Sequence, residues 1–227
     1  MDHNNSENRA PDRAALAQQT LAGYAHGPDA PLQAEAQALA RLDEARAALL
    51  VEGISDQIAL ETLAARQGRD LAEEKILVVP IGGAQSILRY LRLLGPEGRN
   101  IPVAGLCDAN EERIFRRGLA RAGLGSPQNR EELAGLGFFV CDADLESELI
   151  RALGPAQIET LFAAQGDLGS FRTLQNQPNW RSRPVSAQMR RFLGSGARRK
   201  LRYARLLVEA LPLDAVPHPL TAVLSFV

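Results

Sequence analysis

Between residues 47 and 154, short apolar runs alternate with amphipathic stretches. The runs are Ala47–Val51, Ile76–Val79, Ile101–Cys107 and Phe138–Cys141. Each is too short for a helix and leans toward Val, Ile, Leu and Phe, the pattern of buried strands. The amphipathic stretches are Asp56–Gln67, Ala84–Leu94, Glu111–Ala122 and Leu145–Leu153, with apolar residues at helical spacing. In the second of these, Ile87, Leu88, Leu91 and Leu94 mark one face, and Arg89 and Arg92 lie off it. Gly68, Gly95, Gly123 and Gly154 fall just past the predicted helices, where a left-handed cap favours glycine. Strand–helix alternation repeated four times predicts an α/β domain with a mainly parallel four-stranded sheet flanked by helices.

Outside this block the pattern is helical or irregular. Residues 32–46 are rich in Ala, Leu, Gln and Glu, which suits a leading helix. From Pro155 onward the spacing predicts helices over Ala156–Ala164, Val185–Leu193 and Arg198–Leu211. The link holding Pro178, Trp180 and Pro184 is predicted as loop, and Pro212–Val227 as a tail. Residues 1–30 are polar and weakly periodic, and are expected to be a flexible tail with a short helix near Arg13–Leu21. The expected division is 1–30 tail, 31–154 α/β domain with its leading helix, and 155–227 basic helical extension.

Composition narrows the class. The 227 residues are 45% hydrophobic and 23% charged, ordinary for a globular chain that can bury a core unaided. No apolar run reaches the ~18 residues of a membrane helix, and Met1–Asp12 lacks the apolar core of a signal peptide. The expected location is the cytoplasm, without membrane association. Cys107 and Cys141 are too few and too far apart for a disulfide framework or a Cys-based zinc site. His3, His26 and His218 form no cluster, which argues against a His-ligated zinc enzyme.

The net charge of −1 hides a segregation. Residues 52–148 carry 16 of the 27 carboxylates but 11 of the 26 basic groups. From Arg172 to Arg205 there are ten basic residues and no acid. An acidic part followed by a basic one suits a metal site beside a phosphate-binding surface. A solvated basic helix face is the plainer alternative.

In an open parallel sheet, ligands bind at the carboxyl ends of the strands. The first strand is followed by Glu52-Gly53-Ile54-Ser55-Asp56, the third by Asp108-Ala109-Asn110-Glu111-Glu112, and the fourth by Asp142-Ala143-Asp144-Leu145-Glu146. Carboxylates sharing one rim repel each other, and a hard divalent cation such as Mg²⁺ or Mn²⁺ offsets that cost. Individually, Asp56, Glu112 and Glu146 also suit helix N-termini, and Asp144 suits a turn. Glu52 and Asp108 are harder to explain that way, because folding does not require an acid closing a buried strand. After the second strand, Gly82-Gly83 can let a phosphate approach a helix N-terminus or can form a plain tight turn. Neither a Walker motif nor a dinucleotide fingerprint is present.

Leu50-Val51-Glu52-Gly53-Ile54-Ser55-Asp56, Val78-Val79-Pro80-Ile81-Gly82-Gly83 and Gly105-Leu106-Cys107-Asp108 together resemble a TOPRIM domain. Such domains occur in topoisomerases, primases and nucleases, and the resemblance here is to the TOPRIM half of OLD-family nucleases, over roughly residues 48–211. OLD proteins usually carry an N-terminal ATPase, so the chain resembles a stand-alone version, and a separate ATPase is an expected partner.

The resemblance implies that Glu52 is a metal ligand or general acid–base. It places Asp56 as the acid one turn later and Asp108 as the first acid of a D-x-D. Asn110 stands where that motif has its second acid, which leaves open one ion or two: its side-chain carbonyl oxygen can still be a ligand, and Glu111 or Glu112 can compensate. Asp144 and Glu146 resemble a later acidic position. Lys200, one of two lysines beside 24 arginines, resembles a helical lysine placed near the scissile phosphate. Arg181, Arg183, Arg198, Arg199 and Arg202 are the expected nucleic-acid contacts.

The expected activity is metal-dependent phosphodiester hydrolysis of nucleic acid, DNA ahead of RNA. The alternative is a binding or partner subunit that keeps the fold without catalysis. Trp180, Phe171 and Phe192 near the basic run can stack on bases or anchor a small core.

Overall fold

The computed structural model describes residues 13–227. Its sheet has four parallel strands: β1 (Ala47–Val51), β2 (Ile76–Pro80), β3 (Val103–Asp108) and β4 (Phe138–Cys141). Their order is β2-β1-β3-β4, and every neighbouring pair is parallel.

The helices, in chain order, begin with α1 (Arg13–Thr20), α2 (Ala30–Ala40), α3 (Ile54–Arg66) and α4 (Ile87–Leu94). Next come α5 (Glu112–Arg121), α6 (Arg130–Gly135), α7 (Leu145–Leu153) and α8 (Pro155–Ala164). The last are α9 (Leu168–Gln175), α10 (Val185–Leu193), α11 (Ala197–Ala210) and α12 (His218–Ser225).

All five residues of β1 are buried, because both faces of the sheet are covered. Ala47, Leu49 and Val51 point into one core with residues of α3, α7, α10 and α11. Ala48 and Leu50 point into the other, with Ile87, Leu91 and Leu94 of α4, Phe115 of α5 and Leu133 of α6. Strand periodicity of two thus feeds two separate cores.

Three of the four glycines expected in left-handed caps are there: Gly68, Gly123 and Gly154 have φ of 76°, 71° and 76°. Gly95 does not, since its φ is −75°. Its requirement is space, because a Cβ there would lie 2.5 Å from the Leu91 carbonyl oxygen.

Two segments differ from expectation. The predicted loop between α8 and α10 contains α9, which buries Phe171 against Phe162 and Phe192. The predicted C-terminal tail contains α12, which buries Leu220, Val223 and Leu224. Pro219 sits in its first turn, where a missing N–H costs nothing.

Of the expected N-terminal tail, residues 1–12 lie outside the described residues. Beyond α1, Leu21, Ala25 and Ala30 are buried with Ile54 and Ile58 of α3 and Leu201 and Ala204 of α11. The Arg205 guanidinium donates to the Thr20 carbonyl at 3.2 Å. No helix among the described residues is long and apolar enough to cross a membrane.

Candidate functional site

The sheet order fixes where the site lies. β2 stands on one side of β1 and β3 on the other, so the order in which strands are added to the sheet reverses between β1 and β3. That switch point opens a crevice at the carboxyl ends of the two strands. Glu52 follows β1 directly, and Asp108 ends β3. The Asp108 backbone N–H donates to Glu52 Oε1 at 3.0 Å, which ties the two strand ends together. Asp56, in the first turn of α3, accepts from the Gly53 N–H at 3.0 Å through Oδ2. It therefore sits beside the same turn.

Electrostatics report the crowding. Burial, reinforced by the charges of Glu52, Asp56, Asp144 and Glu146, pushes the Asp108 carboxyl up to about 8. Burial also raises Asp56, to about 7, with Lys200 opposing the rise and Glu146 and Glu52 adding to it. Glu52 is raised by burial as well, although its bond from Asp108 pulls the other way. Carboxyl groups shifted in this direction need a cation beside them to ionise comfortably.

The helices behind the sheet supply the rest. α7 carries Glu146 and α11 carries Lys200, whose Nζ lies 3.3 Å from Glu146 Oε1. The contact is an ion pair at a buried carboxylate oxygen. Burial alone would lower the Lys200 ammonium, but Glu146, Asp56 and Asp108 outweigh it and hold it above its usual value.

The remaining expected residues divide. Asp144 is buried and engaged at both oxygens. Oδ1 accepts from the Ser147 N–H at 2.8 Å as the cap of α7, and Oδ2 pairs with Arg190. Glu112 pairs with Arg116 and Arg130, which hold its carboxyl below the ordinary range despite some burial. Asn110 is exposed on the turn after Asp108. Gly82 and Gly83 take left-handed φ values of 72° and 105°, and the Gly83 N–H donates to the Glu52 carbonyl at 3.0 Å. The glycine pair therefore braces the Glu52 turn.

The basic segment is less free than its sequence suggests. Arg202 is 5% exposed and pairs with the fully buried Asp167, whose Oδ2 also accepts from the Tyr203 hydroxyl at 3.0 Å. Arg199 stacks on Phe192 with its guanidinium carbon 4.1 Å from the ring centroid. Phe171 and Phe192 are core residues in that same cluster. Arg181, Arg183, Arg191 and Arg198 are exposed and form no ion pair among the described residues. Of these, Arg183 and Arg191 line a groove of about 820 Å³ with Trp180, Glu146 and Lys200. Sequence reasoning passed over Arg190 and Arg191 as site residues, although the basic run contained both.

Among the described residues, no three His, Cys, Asp or Glu side chains are arranged as ready ligands of one ion. The donor chemistry nevertheless fits a hard divalent cation. The groups are carboxylates whose burial and mutual repulsion disfavour ionisation, with the Lys200 ammonium beside Glu146.

Residues 45–109 match the family model described as Overcoming lysogenization defect protein-like, TOPRIM domain. No curated protein matches the chain. Among solved structures, the C-terminal region of the Xanthomonas campestris pv. campestris OLD protein superposes with a TM-score of 0.65 at 24% identity. That match covers 82% of this chain and 93% of the other. The C-terminal region of the Burkholderia pseudomallei OLD protein gives a TM-score of 0.60 at 21% identity, covering 80% and 96%. At such identities the structural likeness establishes the fold. With the segment match across β1, β2 and β3, the chain carries a TOPRIM domain resembling that of OLD-family proteins.

Proposed function

We propose that this protein is a divalent-metal-dependent phosphodiester hydrolase acting on nucleic acid, with DNA as the first substrate to test. The observation that carries the reading is the gathering of Glu52, Asp56 and Asp108 at the switch point, with Glu146 and Lys200 brought to them by α7 and α11. Glu52, Asp56, Asp108 and Glu146 are the residues that would hold one or two Mg²⁺ or Mn²⁺ ions. A bound ion would supply Lewis-acid polarisation of the phosphate and make water nucleophilic at neutral pH.

The chain's own groups have separable tasks. Glu52 has Oε1 held by the Asp108 N–H, which leaves Oε2 to accept a proton from the attacking water. The Lys200 ammonium donates to the phosphate oxygens as charge develops on them. Asp144 is a positioning residue: it caps α7 and so fixes the helix that carries Glu146. Arg181, Arg183, Arg191 and Arg198 offer exposed charge to the backbone of the strand. Arg202, held by Asp167, serves the fold instead.

A binding subunit without catalysis is the second reading. Asn110 in place of a second acid, and the lack of three ready ligands around one point among the described residues, favour it. An ATPase is the partner class that the OLD resemblance implies under either reading.

The deciding experiment incubates supercoiled and linear DNA with wild type and Glu52→Gln protein, in Mg²⁺, Mn²⁺ or EDTA. Metal-dependent cutting that the variant loses supports the hydrolase. Tight DNA binding indifferent to EDTA, with no cutting, supports the binding subunit.

A further inference from the structure

A second cavity, of about 580 Å³, opens beside Glu52 and Lys200. Its walls are apolar: Pro28 before α2, Pro31 in the first turn of α2, Ile54 at the start of α3, Pro80 at the end of β2, and Leu201 of α11. The charged groups at its rim are Glu52, Lys200 and Arg198. His26 completes the rim. With Nδ1–H donating to the Tyr24 carbonyl at 3.0 Å, its Nε2 is left as an acceptor. The Trp180 groove also includes Lys200, so the two openings meet at that residue.

An apolar chamber next to a phosphate-reactive centre, rimmed by cations and hydrogen-bonding groups, has the chemistry of a nucleobase site. The volume lies within the ~300–1,000 Å³ range of small-molecule pockets. A base stacked in a duplex does not reach such a chamber, because entry requires that it be turned out of its stack.

Resting on the hydrolase reading above, we infer that this cavity receives an unstacked nucleobase next to the scissile phosphate. The substrate is then a single strand or an unpaired end, threaded from the Trp180 groove past Lys200. Its backbone meets Arg183, Arg191 and Arg198, and its base meets Pro28, Ile54 and Leu201. Specificity in this scheme comes from the strand's ability to unstack, with little dependence on base identity.

The test measures binding of a fluorescent single strand of about 12 nucleotides by anisotropy in EDTA, a length within the range of single-strand sites. It is compared with the same strand carrying abasic residues at its centre and with a blunt duplex. Wild type is expected to bind the intact strand on the order of tenfold more tightly than the abasic one, and more tightly than the duplex. Ala197→Trp, at the exposed start of α11, fills the mouth of the cavity and is expected to abolish the intact-versus-abasic difference.

The wild-type comparison stands even if that variant fails to fold. Equal binding of intact and abasic strands, with metal-dependent cutting retained, overturns the nucleobase site and leaves the hydrolase standing. Failure to bind or cut any of the three overturns both.

Discussion

Lys200 Nζ lies 3.3 Å from Glu146 Oε1, although the two residues are far apart in the chain and sit on different helices. The pair places the ammonium among the carboxylates, where it offsets part of their mutual repulsion. Replacing Lys200 by Met removes a counter-charge from that cluster. Mn²⁺ affinity, read by EPR, is then expected to hold or rise, while cleavage falls by about 10²-fold or more as the phosphate loses its donor. A variant that loses Mn²⁺ binding in step with activity would show that the lysine organises the carboxylates and has no direct part at the phosphate.

Metal-free protein is expected to become less stable as pH rises from about 4 to about 8. In that window Asp108 and Asp56 keep in the folded state protons that they release in the unfolded chain, whose carboxyls titrate near 3.8. The folded form therefore binds more protons, and raising pH costs stability until both groups have ionised. Thermal melts at about pH 5.5 and about pH 8.5 check this, and Mg²⁺ should flatten the difference by binding the ionised form. A metal-free melting temperature that climbs over the same range contradicts the shifts.

Asp108→Asn is expected to abolish hydrolysis and yet to stabilise the metal-free fold by about 1 kcal/mol, because it removes a carboxyl whose ionisation burial and four neighbouring carboxylates oppose. Urea unfolding of the two proteins in EDTA measures the difference. A destabilised variant would mean that the Asp108 side chain has a structural task.

Arg202→Met should cost about 3–5 kcal/mol, since it leaves the fully buried Asp167 carboxylate without its main counter-charge. Asp167→Asn in the same background should recover part of the loss. Urea midpoints of the single and double variants are the measurement.

Nucleic-acid affinity should fall steeply with salt, and Arg183→Ala or Arg191→Ala should each reduce the log–log slope by roughly one. Arg172 should not share in this, because Glu159 neutralises it at 2.6 Å. Equal slopes for all three variants would mean that the groove is not the strand path.

The sheet and its main helices were legible because their hydrophobic periods are unbroken. Glu52 and Asp108 stood out as acids closing buried strands. α12 was hidden by Pro217 and Pro219, which signal a tail when they flank one residue but here introduce a helix. α9 was hidden in a stretch with several turn-forming residues, and with it went Asp167. Without Asp167 nothing in the sequence could separate Arg202, a buried structural cation, from Arg198, an exposed one. The packing of Leu21, Ala25 and Ala30 was invisible for a similar reason. Their contacts are with α3 and α11, and polarity alone marked the stretch as a tail.

The hydrogen bond from Arg205 to the Thr20 carbonyl closes a loop of 185 residues. Glu52, Asp56 and Asp108, by contrast, lie within the continuous segment that runs from β1 through α3, β2 and α4 to the end of β3. The two halves of the centre therefore form under different entropic burdens. The carboxylates come together with the folding of the sheet, whereas the helix that carries the lysine is seated on α3 by closures of 142 and 145 residues, from Arg66 to the Val208 and Leu211 carbonyls. Amides of α11 should consequently exchange with solvent through smaller openings than those of β1 and β3, so the protein can lose its lysine transiently while its carboxylates stay assembled.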